Sequence, residues 1–238
     1  MSNVRTVSDT KRAFYTLHTR PINSFYRRVV DELIVEMHLL SVNADFRYDP
    51  VYGLGVVTAF DRFMQGYRPE QDKASIFNAI CQSLEQDSQK FRQDAEQLRS
   101  EAVSLSEEDF LTRIKQLNAE NAGGLFGGLR SIAENSTFKY SRLFAIGLYT
   151  LLETISPDLV KDETKRNQAL TNVAEGLNIS FEKIQKDLEL YRSNLDKIAQ
   201  AQQVMSDILE ADRKKKEERA GPKMRSSLPQ IPRNPPDD

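Results

Sequence analysis

FRYDPVYGLGVVTAFDRF, residues 46–63, is open to two incompatible readings: a glycine-rich loop around a ligand, or a helix pressed against its neighbours. Pro50 is pre-set for a first helical turn and disfavours helical geometry at Asp49, so this pair ends one element and begins the next. From Val51 onward, Leu54, Val57, Thr58, Phe60, Asp61 and Met64 wind around a helical axis. A phosphate loop requires a preceding strand and a longer glycine fingerprint. GLG at 53–55 supplies neither, and GGLFGG at 123–128 does no better. Gly53 and Gly55 are therefore expected where another helix approaches the backbone, a use that outweighs a propensity penalty of ~1 kcal/mol.

The flanking sequence is helical as well, with no convincing alternating strand pattern. In RPINSFYRRVVDELIVEMHLL, residues 20–40, Pro21 suits a first turn, and Phe25, Val29, Val30, Leu33, Met37 and Leu40 form an apolar stripe. Val35 and Leu39 fall on another face, which predicts a helix buried on more than one side at the centre of a bundle. Arg28 and Glu32 can pair along its polar edge, which Glu36 continues. YRPEQD at 67–72 breaks the pattern, and residues 70–109 then carry ten acidic and four basic side chains, read as a solvated acidic face. LSEEDF at 105–110 marks a helix start, with Ser106 as cap, Asp109 closing a capping box and Leu105 stapled to Phe110. FKYSRLFAIGLYTLLETI, 138–155, is strongly apolar. ISPDLV at 155–160 repeats the start signal through Ser156, Pro157 and an Ile155–Val160 staple, and Gly176 is the expected stop.

From Leu177 the grammar changes. Phe181, Leu188, Leu195, Gln202 and Leu209 take the a positions of a heptad, and Ile184, Tyr191, Ile198 and Met205 take d. A continuous helix from Ser180 to Arg219 would be roughly 60 Å long at ~1.5 Å per residue. Its seam could be covered by earlier helices, a second copy or another protein. RKKKEER at 213–219 reads as a solvated helix end, and GPKMRSSLPQIPRNPPDD carries five prolines in its eighteen residues. The expectation is an all-α helical bundle over 1–176, a long coiled-coil-like helix over 177–219 partly docked on it, and a disordered tail over 220–238.

The residues exclude more chemistry than they suggest. A net charge of −2 provides no general field for nucleic acid. Cys81, the single cysteine, sits in the apolar helical pattern IFNAICQSL and reads as a buried thiol in a reducing compartment. LFAIGLYTLL at 143–152 is much shorter than the ~20 residues of a spanning helix, so any membrane contact is expected to be peripheral. Of the two histidines, His38 has no HExxH or ExxH context and is expected to be held near Asp31 or Arg27, while His18 fits a helix end. Glu32 and Glu36 share a face without a second ligand set, and no serine lies in a G-x-S-x-G elbow. The sequence thus offers no catalytic, cofactor-binding or metal-ligating set, and the chain is read as a non-enzyme without cofactor.

VSDTKRAFYTLHTRPINSFYRRVVDELIVEMHLLSVNADFRYDPVYGLGVVTAFDRFMQGY, residues 7–67, resembles the signature region of the thylakoid formation proteins, photosystem II biogenesis factors of cyanobacteria and chloroplasts. FKYSRLFAIGLYTLLE and DLELYRSNLDKIAQAQ extend the likeness over about residues 5–210. With no transit-like leader before Val7, the sequence looks like a cyanobacterial member. The resemblance implies an all-helical, non-catalytic accessory factor in photosystem II biogenesis and repair, acting through thylakoid FtsH protease complexes and placed peripherally on the cytoplasmic side of the thylakoid membrane, with a soluble pool. A monomer is favoured. Two competing functions are a structural tether or organiser of thylakoid membranes and an enzyme with an unrecognised cofactor site.

Overall fold

The computed structural model describes residues 5–117 and 123–220, which contain helices and no strand. In chain order these are α1 (Val7–Leu17), α2 (Ser24–Ser41), α3 (Pro50–Phe63), α4 (Asp72–Ser83), α5 (Ser88–Val103), α6 (Glu107–Lys115), α7 (Gly124–Glu134), α8 (Arg142–Ile155), α9 (Pro157–Lys161), α10 (Glu163–Gly176) and α11 (Phe181–Ala220). The chain divides into a first unit, Met1–Leu195, and a second, Asp196–Asp238, so that α11 contributes to both. The tail predicted over 220–238 lies outside the described residues beyond Ala220.

The first unit is built around α3 and α8, which form its most extensive helix pair. Every residue from Val51 to Phe60 and from Leu143 to Leu152 is buried. Glycine sets how near these helices come. A Cβ on Gly55 would lie 1.7 Å from the Leu143 carbonyl oxygen, and one on Gly147 would lie 1.9 Å from that of Val51. The two glycines thus let backbone meet backbone from opposite sides of one crossing. Gly53 differs, because its nearest neighbour is the Tyr48 hydroxyl, a side-chain end that can move.

Helix α5 packs on α3 through Phe91, Ala95, Leu98 and Ala102, all buried. Phe91 meets the rings of Tyr48, Tyr52 and Phe77 edge-on, adding directional contacts to the burial of large apolar surface. Helix α10 packs on α6, where a Cβ on Gly176 would come within 2.8 Å of the Ile114 carbonyl oxygen. Gly176 therefore ends α10 in helical geometry against a neighbour. The left-handed residue that follows is Asn178, at φ 55°.

Several local expectations change. Pro21 stands outside α2, which instead starts after Asn23, whose side chain accepts from the Phe25 N–H at 3.0 Å. Nor is α2 the buried centre. Leu39 is 58% exposed and Val35 only partly covered, because Arg27, Arg28, Asp31 and Glu32 keep that side of the helix in water. The segment after Ser156 forms two helices, since Asp162 caps a new start by accepting from Lys165 N–H. At α6 the Ser106 cap forms, while the complete reciprocal box occurs at Thr6 and Asp9 of α1.

Asp49 caps α3 as its position before Pro50 implies, accepting from the Tyr52 N–H at 2.8 Å. Burial pushes its carboxyl up to about 6 against these hydrogen bonds, which favour the ionised form. The folded state therefore holds a proton there that the unfolded chain releases. Asp49 makes stability fall as pH rises from about 4 to about 6, and its cost is fully present above that window. Asp49→Asn keeps an accepting oxygen and removes the charge. Its thermal midpoint relative to the parent should be higher at pH 7.5 than at pH 4; an equal difference at both pH values would refute this account.

Candidate interaction surfaces

Among the described residues, Cys81, His18, His38, Glu32 and Glu36 each have separate surroundings and do not come together in one set. Cys81 is fully buried, and its surroundings push the thiol up to about 12. His38 is buried, with Nδ1 2.9 Å from the Thr10 hydroxyl, so its partner is on α1 and not Asp31 or Arg27 on its own helix. His18 caps the end of α1 and places Nδ1 3.2 Å from the Ser75 hydroxyl; burial lowers its pKa against the opposing influence of Asp72. Glu32 pairs with Arg28 at 3.0 Å, whereas Glu36 turns to Arg142 at the start of α8. Among the described residues, no group of three or more His, Cys, Asp or Glu side chains could hold a metal ion.

The Glu36–Arg142 pair is the centre of a polar wedge in the first unit. Ser141 caps α8 by accepting from the Phe144 N–H, which fixes where Arg142 and Tyr140 leave the chain. The Tyr140 hydroxyl donates to Asp187 of α11 at 2.8 Å. Burial holds the Glu36 carboxyl above its ordinary range despite Arg142, and Asp187 adds repulsion. Burial and Asp187 likewise raise Tyr140. Four side chains from three helical regions thus fix one another, with two carboxylates sharing the influence of one guanidinium.

Beside this wedge is an open groove of about 650 Å³ lined by Lys11 of α1, Arg27, Arg28, Val35 and Leu39 of α2, and Arg142. It combines a partly apolar floor with charges of both signs, since Asp31, Glu32 and Glu36 also line it. Such a surface suits a protein partner better than a small apolar ligand. A second groove of about 840 Å³ lies near α4 and α5, where Arg92 stacks 4.4 Å from the Phe77 ring centre and pairs with Asp61 at 2.7 Å. Arg92 is already engaged on both sides.

The wedge was not read from the sequence. Glu36 and Arg142 are separated by 106 positions, and nothing in helical periodicity pairs them. Their one local signal was Ser141, a cap immediately before a strongly apolar helix.

In the second unit, Val204, Ile208 and Leu209 are 56%, 57% and 67% exposed. Among the described residues, no helix is long and apolar enough to cross a membrane.

Comparison with known proteins covers the same helices from end to end. The family profile described as Thylakoid formation protein matches residues 6–220. A relative named Protein Thf1 from Nostoc sp. is 60% identical over 235 residues, covering 98% of this chain and 100% of the relative. Protein Thf1 from Crocosphaera subtropica is 60% identical over 216 residues, covering 91% of this chain and 88% of the relative. A solved structure of Psb29 has 46% identity and a TM-score of 0.79, covering 90% of this chain and 99% of that one. With a profile match through every helix of the described residues and relatives aligned over nearly their full length, this chain belongs to the thylakoid formation protein family.

Proposed function

We propose that the protein is a non-catalytic accessory factor in photosystem II biogenesis and repair, acting through thylakoid FtsH protease complexes. It meets the thylakoid membrane peripherally from the cytoplasmic side. Likeness to Thf1 and Psb29 relatives supports the setting. The carrying observation is the wedge beside the α2 groove, where Glu36, Arg142 and Asp187 come together from the segments DELIVEMHLL, FKYSRL and DLELYR, far apart in the chain. These residues hold a mixed apolar and charged surface in shape without presenting a reactive group, as a docking protein requires.

Affinity capture from detergent-solubilised photosynthetic membranes tests the reading. The parent chain should recover an FtsH protease complex. Leu39→Glu, at a position 58% exposed in the groove, should change stability by less than about 0.5 kcal/mol and still reduce that recovery several-fold. Recovery of lipid without protease would favour a membrane tether instead. Undiminished protease capture by Leu39→Glu would remove the α2 groove from the interface.

A further inference from the structure

Three helices of the first unit bring unequal charge to one half-buried point. Glu36 of α2 pairs with Arg142 of α8, their side chains 19% and 33% exposed, and Asp187 of α11 acts on both. Asp187 accepts from the Tyr140 hydroxyl at 2.8 Å, a neutral partner. Two carboxylates thus share one guanidinium, which leaves surplus negative charge where water is scarce. The surrounding groups do not cancel it. Glu32, one turn before Glu36, is paired with Arg28 and is a further acid near Arg142. Lys139, Lys183 and Lys186 are exposed and form no ion pair among the described residues. From α3 the Tyr52 phenol faces this charge and stays neutral, since burial, then Glu36, push its ionisation up. One turn further along α11, beside Tyr191, the charges match: Arg62 of α3 pairs with Glu153 of α8.

We propose that Glu36, Arg142 and Asp187 form a proton-operated latch on the start of α11. When Glu36 takes up a proton, Arg142 turns from it to Asp187 and α11 is held more firmly; when Glu36 loses the proton, the two carboxylates repel and α11 loosens. Burial raises the Glu36 carboxyl above its ordinary range, opposed by Arg142 and reinforced by Asp187. The folded chain therefore binds this proton more readily than the unfolded chain. Stability from the site is present in acid and falls as pH rises above the ordinary carboxyl range. Ile184, Leu188 and Tyr191 are buried whichever way Arg142 points, so the latch changes how easily α11 opens and leaves the fold intact. Since Glu36 and Arg142 also line the α2 groove, the same proton alters the charge that the groove presents.

Hydrogen exchange on the purified full-length chain at about pH 5 and about pH 8 tests the latch. Protection factors, corrected for the intrinsic pH dependence of exchange, are compared between residues 184–191 of α11 and 54–60 of α3. A change in global stability moves both segments, whereas the latch moves α11 alone. The α11-to-α3 ratio of the parent should be several-fold higher in acid. Glu36→Gln removes the charge at nearly constant size and should hold the ratio at its acid value at both pH values; a merely structural ion pair predicts weaker α11 protection at both. Asp187→Asn keeps an acceptor for Tyr140 and should also abolish the pH dependence. Asp49→Asn, at another carboxyl raised by burial, should leave it intact. An equal parent ratio at the two pH values, a pH dependence that survives in Glu36→Gln or Asp187→Asn, or its loss in Asp49→Asn would overturn the latch. The chain is measured alone, so the result stands apart from protease capture.

Discussion

Gly55→Ala should lower stability by about 3 kcal/mol or more, beyond the 1–3 kcal/mol common for an added methylene in a packed core. The new carbon would lie 1.7 Å from the Leu143 carbonyl oxygen, 2.7 Å from its carbonyl carbon and 2.9 Å from the Gly147 nitrogen. All three are backbone atoms of α8. No rotamer change can relieve them, so α8 must withdraw from α3 along a crossing buried on both helices. Against a total stability of about 5–15 kcal/mol this is a large fraction, and the midpoint should fall by roughly 6–12 °C. Gly147→Ala, with its carbon 1.9 Å from the Val51 oxygen, should behave similarly. The two losses should add incompletely, because the first separation already makes room for the second carbon. Gly128→Ala supplies the control: nothing lies within 4 Å of its added carbon, and α7 should gain about 0.5–1 kcal/mol. If Gly55→Ala melts with Gly128→Ala, the close crossing is wrong.

This crossing shows what the sequence carried and what it withheld. A glycine inside an apolar helical run is a local conflict, and Gly55 could be assigned to helix packing because no phosphate-loop context accompanied it. Its partner could not be assigned. Gly147 lies in LFAIGLYTLL, an apolar segment whose periodicity states that it is buried but not which backbone it meets. The same boundary separates Arg28–Glu32, readable from a four-residue spacing, from Glu36–Arg142, which exists only after α2 and α8 have packed. At α2 the start expected at Pro21 falls instead after Asn23, whose side-chain cap satisfies a first-turn N–H that the fixed backbone angle of Pro21 does not. Leu39 was misread because an apolar residue on a second face indicates burial only when a neighbour covers that face.

Leu188→Glu should destabilise the protein by about 4 kcal/mol, combining the lost burial of a leucine with an unpaired charge placed among apolar groups. Leu188 is 5% exposed, and Ile184 and Tyr191, one turn to either side, are 0% and 1% exposed. Tyr191 also meets the Phe63 ring of α3 edge-on, with centres 5.5 Å apart. Charge at position 188 has no water to reach without lifting this part of α11 from the rest of the first unit, so the loss should appear as a lower midpoint and as weaker cooperativity in unfolding. Leu209→Glu makes the opposite case with the same chemistry. Both leucines hold the a position of one heptad pattern, yet Leu209 is 67% exposed, and its substitution should change stability by less than about 0.5 kcal/mol. Heptad periodicity alone predicts equal penalties at the two sites, whereas burial predicts penalties that differ several-fold. Thermal and urea melts of the two variants therefore test whether the regular pattern along α11 serves two different physical roles. Equal destabilisation would mean that Leu209 is covered in solution, by a second copy or by this chain's own helices, and a concentration series of the parent's melt would separate those causes, because only self-association makes the midpoint depend on protein concentration.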